Sequence, residues 1–524
     1  MILGTAIYNL RTSANLSQEQ FAKLFDVSQQ SVQKWENGDS TPELGKIIKI
    51  AQHFDVSLDA LILGNNNRVV EEMRNTSSIK PQYDNIHSWE FYPSNLALEY
   101  TQSMEEGLDI EEYKDLFSTI SRLPRSDIKE KLGDVLFEIV MNAPMRKDYK
   151  YVEPSDIASI KNLRKPYAYK KNEIKNLESK IRGAWMGRIC GCMLGKTVEG
   201  IRTNELIPFL KETGNYPLHR YILKSDLEKT DINKYKYAFW KRFYADAIDG
   251  MPADDDTNYT VLYQNVIEKY GRDFTPFDVS RAWLSYQSIN AYCTAERVAY
   301  CNFVKGFAPP DSAKYKNAFR EWIGAQIRAD YFGYINPGNP ELAADMAFRD
   351  ASISHIKNGI YGEMFVAAML AVAAETNDIK DIILAGLAEI PCTSRLYEEV
   401  MSVVDGYEGG VSQSECFKKI HEKYDEHSAH DWCHTNSNAM IVAASLLYGK
   451  GDYSKSICMS VETGFDTDCN GATVGSILGL ANGIESIPTY WQEPIKNKLN
   501  TAIFGMHSVM IDDLIALTIK HINN

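Results

Sequence analysis

Apolar residues recur at helical spacing along most of the chain, and strand-like alternation is sparse. Near the start, Ser17 stands three residues before Gln20, a capping-box spacing that opens a helix carrying Phe21, Ala22 and Leu24 as apolar positions. After the turn "DVS", Ser28 starts a second helix in which Val32 and Trp35 face inward and Gly38 supplies the stop. Leu44, Ile47, Ile48, Ala51 and Phe54 mark a further helix. Residues 65–85 are polar and rich in turn formers, which predicts a linker. Residues 86–175 hold three apolar stripes of period 3.6, punctuated by Gly107 and Pro124, and the cluster "WEFYP" (89–93) is placed to anchor them on the next domain. Beyond 176 the chain is rich in Ala and Gly. Residues 361–375 and 435–449 read as buried helices, and Gly471, Gly475, Gly479 and Gly483 form a four-residue ridge suited to close packing against another helix. The pattern predicts an all-α protein with a small N-terminal domain (1–64), a linker (65–85), a helical connector (86–175) and a large helical domain (176–524).

The bulk numbers agree with that division. At 524 residues the chain is too long for one core. Its 44% hydrophobic and 24% charged content is that of a soluble globular protein. No run is apolar for the length a bilayer needs, and the start has no secretory pattern. Nine cysteines, an odd number without paired C-x-x-C clusters, point to a reduced, cytoplasmic setting. The net charge of −14 excludes a surface that tracks nucleic acid throughout, but not a local DNA-reading module or a cation site.

The run "LSQEQFAKLFDVSQQSVQKWENGDSTPE" resembles the phage repressor and Cro family of helix-turn-helix domains. The resemblance implies that the second helix of the motif enters the major groove of double-stranded DNA, with the protein acting as a dimer. Gln29, Gln30 and Lys34 would then face bases, and Ser28, Ser31 and Asn37 the backbone. Residues 1–68 hold six Lys/Arg against seven Asp/Glu, less basic than phosphate binding favours, so a dimerisation or protein-binding module is the rival reading.

Two acidic clusters carry the chemistry. Asp254, Asp255 and Asp256 precede one apolar helix, and Asp466 and Asp468 precede another that is expected to begin near Cys469 or Asn470. Helix N-termini favour negative groups. Buried like charges repel unless a cation lies among them, and carboxylate oxygens suit Mg²⁺, Mn²⁺ or Ca²⁺.

"PADDDTNYT" and "GFDTDCNGATVGSILG", together with "RGAWMGRICGCMLGKTVEG" (182–200), resemble the motifs of the ADP-ribosylglycohydrolase family, over about 176–500. The resemblance implies an all-α orthogonal bundle holding two divalent cations, Mg²⁺ or Mn²⁺, and hydrolysis of a ribosyl or ADP-ribosyl glycosidic bond. Asp254, Asp255, Asp256, Asp466 and Asp468 match the metal motifs. Glu199, Asp255 and Asp468 are the candidate catalytic residues, Glu199 as acid/base, and Gly191, His355 and His434 are candidates at the substrate. Three positions depart from the family pattern: Cys192 stands where Asp is common, and Asp254 and Cys469 where Thr is common. These changes leave two functions open, a hydrolase fused to a DNA-binding domain and a repressor whose hydrolase-like domain senses an ADP-ribose-like effector without turnover.

The remaining signals divide evenly. His355 and His434 either line the cleft or are hydrogen-bonded in the core. The cluster His421, His427, His430, Cys433 and His434 fits no zinc spacing. The aromatic, basic stretch 204–250 is either a lid or an ordinary insertion.

Overall fold

The computed structural model describes residues 2–56, 58–63 and 80–524, so most of the expected linker lies outside the described residues. The chain divides into two compact units, Met1–Ile86 and His87–Asn524.

The first unit contains α1 (Ile2–Ser13), α2 (Gln18–Leu24), α3 (Gln29–Asn37), α4 (Leu44–His53) and α5 (Leu58–Leu63). The capping box forms as expected: Ser17 Oγ accepts the Gln20 N–H at 3.1 Å and Gln20 Oε1 accepts the Ser17 N–H at 2.7 Å. Ser28 caps α3 through the Ser31 N–H, and Gly38 ends it at φ +79°, a conformation in which a Cβ is strained. The core comprises Ile7, Phe21, Ala22, Phe25, Val32, Trp35, Ile47, Ile50, Ala51 and Leu61. Leu24, Leu44 and Ile48, expected among the apolar positions, are exposed, whereas Phe25 and Ile50 are buried. Helical periodicity marks a stripe, and the exact face is set by which neighbours the stripe meets.

In the second unit, α6 (Leu96–Glu105), α7 (Lys114–Ser121) and α8 (Asp127–Asn142) form the three expected helices of the connector. Phe91, Tyr92 and Pro93 are buried, and Glu90 pairs with Arg297 at 2.5 Å, so the "WEFYP" cluster does anchor this piece. The attachment is electrostatic as well as apolar. Arg320 is paired with Glu99 (2.7 Å) and Glu106 (2.6 Å), and Arg395 with Glu153 (3.0 Å) and Glu321 (2.7 Å). Such buried pairs cost desolvation and hold only when every partner is in place.

The body is built on α9 (Leu177–Lys196), α10 (Asp255–Tyr270), α11 (Lys357–Ala373), α12 (Thr435–Gly449) and α13 (Thr467–Asn482). The one sheet among the described residues pairs Lys498–Asn500 antiparallel with Ser508–Met510. The glycine ridge of α13 finds its partner in α9, which carries the same spacing at Gly183, Gly187, Gly191 and Gly195. The two helices run antiparallel. Gly183 faces Gly479, Gly187 faces Gly475, Gly191 faces Gly471 and Gly195 faces Thr467, and a Cβ on any of the four α9 glycines would lie 2.0–2.2 Å from an opposing carbonyl oxygen. No side chain fits between these backbones. Gly483 serves otherwise, as the C-terminal cap of α13 at φ +80°.

Candidate active site

The helix pair brings the end of α9 to the second acidic motif, and Arg188 and Lys196 of α9 pair with Asp256 and Asp254 of the first. Gly195, near the C-terminal end of α9, packs against Thr467 in the first turn of α13, and Thr467 Oγ1 donates to the Gly195 carbonyl at 2.9 Å. Both acidic motifs sit further into their helices than expected. Asp466 is the residue that caps α13 and Asp468 lies in its first turn; Asp254 caps α10, and Asp255 and Asp256 lie in its first turn. Each cluster therefore lies at the positive end of a helix dipole.

Ligand atoms of Asp254, Asp255, Asp256 and Asp468 all lie within 4.8 Å of one another. Asp466 falls outside that group; Cys433 Sγ donates to its Oδ2 at 3.6 Å. The four converging residues are not equivalent. Asp256 Oδ1 accepts from Arg188 Nη2 at 3.2 Å, and Arg188 also pairs with Asp330 at 2.8 Å and donates to the Asp256 and Ile327 carbonyls. Asp254 uses Oδ1 to accept the Asp256 N–H at 3.0 Å and Oδ2 to accept from Lys196 Nζ at 2.6 Å. Asp256 Oδ2 and Asp468 Oδ1 are buried without any partner. Burial above all, then the neighbouring carboxylates, pushes Asp255 and Asp468 far above the ordinary carboxylate range; Asp256 is also raised, against the pull of Arg188. An oxygen-rich cradle with unpartnered buried oxygens fits a hard divalent cation.

Glu199 stands beside this cradle, three residues past the end of α9. Burial, then the charges of Asp466 and Asp254, raises its carboxyl to about 7, and Arg242 Nη1 lies 3.8 Å away. The stretch 204–250 is not a detached insertion. Tyr237 Oη donates to the Thr197 and Glu199 carbonyls (2.8 and 3.2 Å), and its ring lies 4.7 Å from the Arg242 guanidinium. Arg202 stacks over Trp432 at 4.8 Å.

Gly191, His355 and His434 are the residues expected at the substrate. Gly191 is closed against Gly471, a packing position. His355 is fully buried, bonded to Ser354 at 2.8 Å in the network around Arg328. His434 caps α12, its Nδ1 accepting the Asn436 N–H, with Nε2 directed at Glu105 (3.8 Å) and Glu321 (3.9 Å). His430 Nδ1 accepts from Trp322 Nε1, so its Nε2 carries the proton donated to Glu105. Ligand atoms of Glu105, His430 and His434 lie within 4.8 Å of one another. Sequence reasoning missed Arg188 and Lys196. Both lie within the glycine-rich motif, and each is the only kind of charge that burial beside carboxylates would retain.

In the first unit, Gln29, Gln30, Lys34 and Asn37 are exposed on and beside one face of α3, Ser31 is half-buried, and Ser28 is bonded to Ser31.

Comparison with known proteins is consistent with both units. Residues 173–521 match the family model described as ADP-ribosylglycohydrolase, and residues 7–61 match one described as helix-turn-helix. Among curated proteins, the HTH-type transcriptional activator BcrR of Enterococcus faecalis is 35% identical over 87 residues, 17% of this chain and 43% of that protein. An uncharacterized HTH-type transcriptional regulator of Rickettsia conorii is 34% identical over 62 residues, 12% of this chain and 50% of that protein. The chain thus spans half or less of the length of these relatives. Among solved structures, an ADP-ribosylglycohydrolase-related protein complex aligns with 66% of this chain and 98% of its own at 16% identity and a TM-score of 0.42.

Proposed function

The chain belongs to the ADP-ribosylglycohydrolase family, and on that basis we propose that it hydrolyses a ribosyl glycosidic bond in a divalent-cation-dependent reaction, under a helix-turn-helix domain that binds double-stranded DNA. The observation that carries the reading is the convergence of Asp254, Asp255, Asp256 and Asp468, with Asp256 Oδ2 and Asp468 Oδ1 buried and unpartnered beside Glu199. Asp255, Asp256 and Asp468 would hold the cation, which when bound supplies Lewis acidity and a grip on ribose hydroxyls. Glu199, poised near neutrality, takes the proton of the water that adds to the anomeric carbon as the bond to the leaving group breaks. Negative charge from the aspartates favours the oxocarbenium-like carbon that develops. Arg242 and Arg202, each stacked on an aromatic ring, favour a substrate that carries phosphate.

The test is a product screen. Wild type and Asp468→Ala are incubated with Mg²⁺ or chelator against ADP-ribosyl-arginine, ADP-ribosyl-serine, NAD and simple ribosides, and products are read by mass spectrometry. Metal-dependent release of ribose or ADP-ribose by wild type alone is expected. Cation binding without turnover on any of them would favour the effector-sensing repressor instead.

A further inference from the structure

Lys196 occupies a place that a cation site has reason to keep clear. Its side chain is largely buried, and its Nζ lies 2.6 Å from Asp254 Oδ2, whose own side chain is 1% exposed. The other Asp254 oxygen is committed to the Asp256 N–H at the start of α10. Each Asp254 oxygen thus already accepts one hydrogen bond, whereas Asp256 and Asp468 each have one oxygen buried and unpartnered. Besides Asp255 and Asp468, the Cys192 thiol also lies within 4.8 Å of Asp254 and Asp256. A thiol is a poor partner for a hard cation. Cys469 stands in the same relation to Asp256 and Asp468.

We propose that the site takes a single divalent cation, held by Asp255, Asp256 and Asp468, and that the Lys196 ammonium stands beside Asp254 in place of a second. The proposal rests on the reading of the aspartates as a cation site and specifies its stoichiometry. Charge supports it. Arg188 is paired with Asp256 and Lys196 with Asp254, so Asp255, Asp466 and Asp468 are left without a cationic side chain bonded to them, and one doubly charged ion offsets most of what they carry. A second ion would have to approach a fixed ammonium at short range in a buried setting, where like charges repel strongly.

The experiment is equilibrium dialysis of the full chain against millimolar Mn²⁺, with electron paramagnetic resonance of the bound ion. The variants are Lys196→Met, close in length and uncharged, and Lys196→Arg, which keeps the charge. Expected are one Mn²⁺ per chain with an uncoupled six-line spectrum for wild type and Lys196→Arg, and two per chain with exchange coupling for Lys196→Met. Two ions in wild type would overturn the proposal and leave the cation site standing. No bound ion in wild type would overturn the cation site itself. One ion in both wild type and Lys196→Met would remove Lys196 as the reason. The wild-type measurement decides the stoichiometry even if a variant fails to fold.

Discussion

Single side chains set the character of each surface that matters here. Arg188 fixes Asp256 by bonding both its carboxylate and its carbonyl, so one oxygen is committed and the other is aimed into the cradle. Such a buried arginine is an orienting group, because its planar donors lock two acids and two carbonyls at once. In the helix-turn-helix unit the corresponding question is Lys34, exposed on α3 beside the two glutamines. If α3 enters a major groove, Lys34→Ala weakens binding to duplex DNA and flattens the dependence of log affinity on log salt by about 1. Fluorescence anisotropy across a salt series measures both, and an unchanged slope would favour the protein-binding reading of this unit.

At the scale of elements, the α9–α13 pair is the device that makes the site. Two glycine series of equal spacing let the backbones touch, and the contact carries the first turn of α13 to the end of α9. A Cβ at Gly475 would sit 2.2 Å from the Gly187 carbonyl oxygen, with no flexible side chain to yield. Gly475→Ala is therefore expected to destabilise the second unit by about 1–3 kcal/mol or more, since overpacked cores shift backbone at that cost. Gly45 in α4 has nothing within 4 Å of its built Cβ. There the same substitution is expected to leave stability unchanged or raise it by up to about 1 kcal/mol through helix propensity. Urea unfolding followed separately in the two units makes the comparison.

The whole molecule carries the electrostatic cost of the cradle. Asp255, Asp256, Asp468 and Glu199 all have folded pKa values above the value of about 4 of an unfolded chain. Between that value and their folded ones, the native state binds protons that the unfolded chain has released, so stability falls as pH rises through the window. Below about pH 4 the penalty is absent, and above the folded values it is complete. A bound divalent ion removes it. Mg²⁺ is thus expected to raise the melting temperature more at pH 8 than at pH 5.5, with Asp468→Ala losing most of the difference. Equal gains at the two pH values, read by scanning calorimetry, would contradict this account. No described helix is long and apolar enough to cross a membrane.

What the sequence determined by itself was local or periodic. The caps at Ser17, Ser28 and Gly38 were legible because the partners lie within four residues. The all-helical class followed from the 3.6-residue period, and the acidic clusters were visible as aspartates placed ahead of apolar helices. The ridge on α13 was legible as a packing surface, yet its partner was not, although Gly183, Gly187, Gly191 and Gly195 repeat its spacing in plain view. Pairing between residues 272 positions apart depends on which surfaces meet, and a period in one segment holds no record of another. The same limit hid which face of α4 is buried and that Gly191 is closed against Gly471. It also concealed that Lys196 answers Asp254, since a charge pair across 58 residues exists only once the chain has folded. Tertiary structure decided those points because burial makes an unpaired charge expensive, and only the folded chain shows which charges are paired.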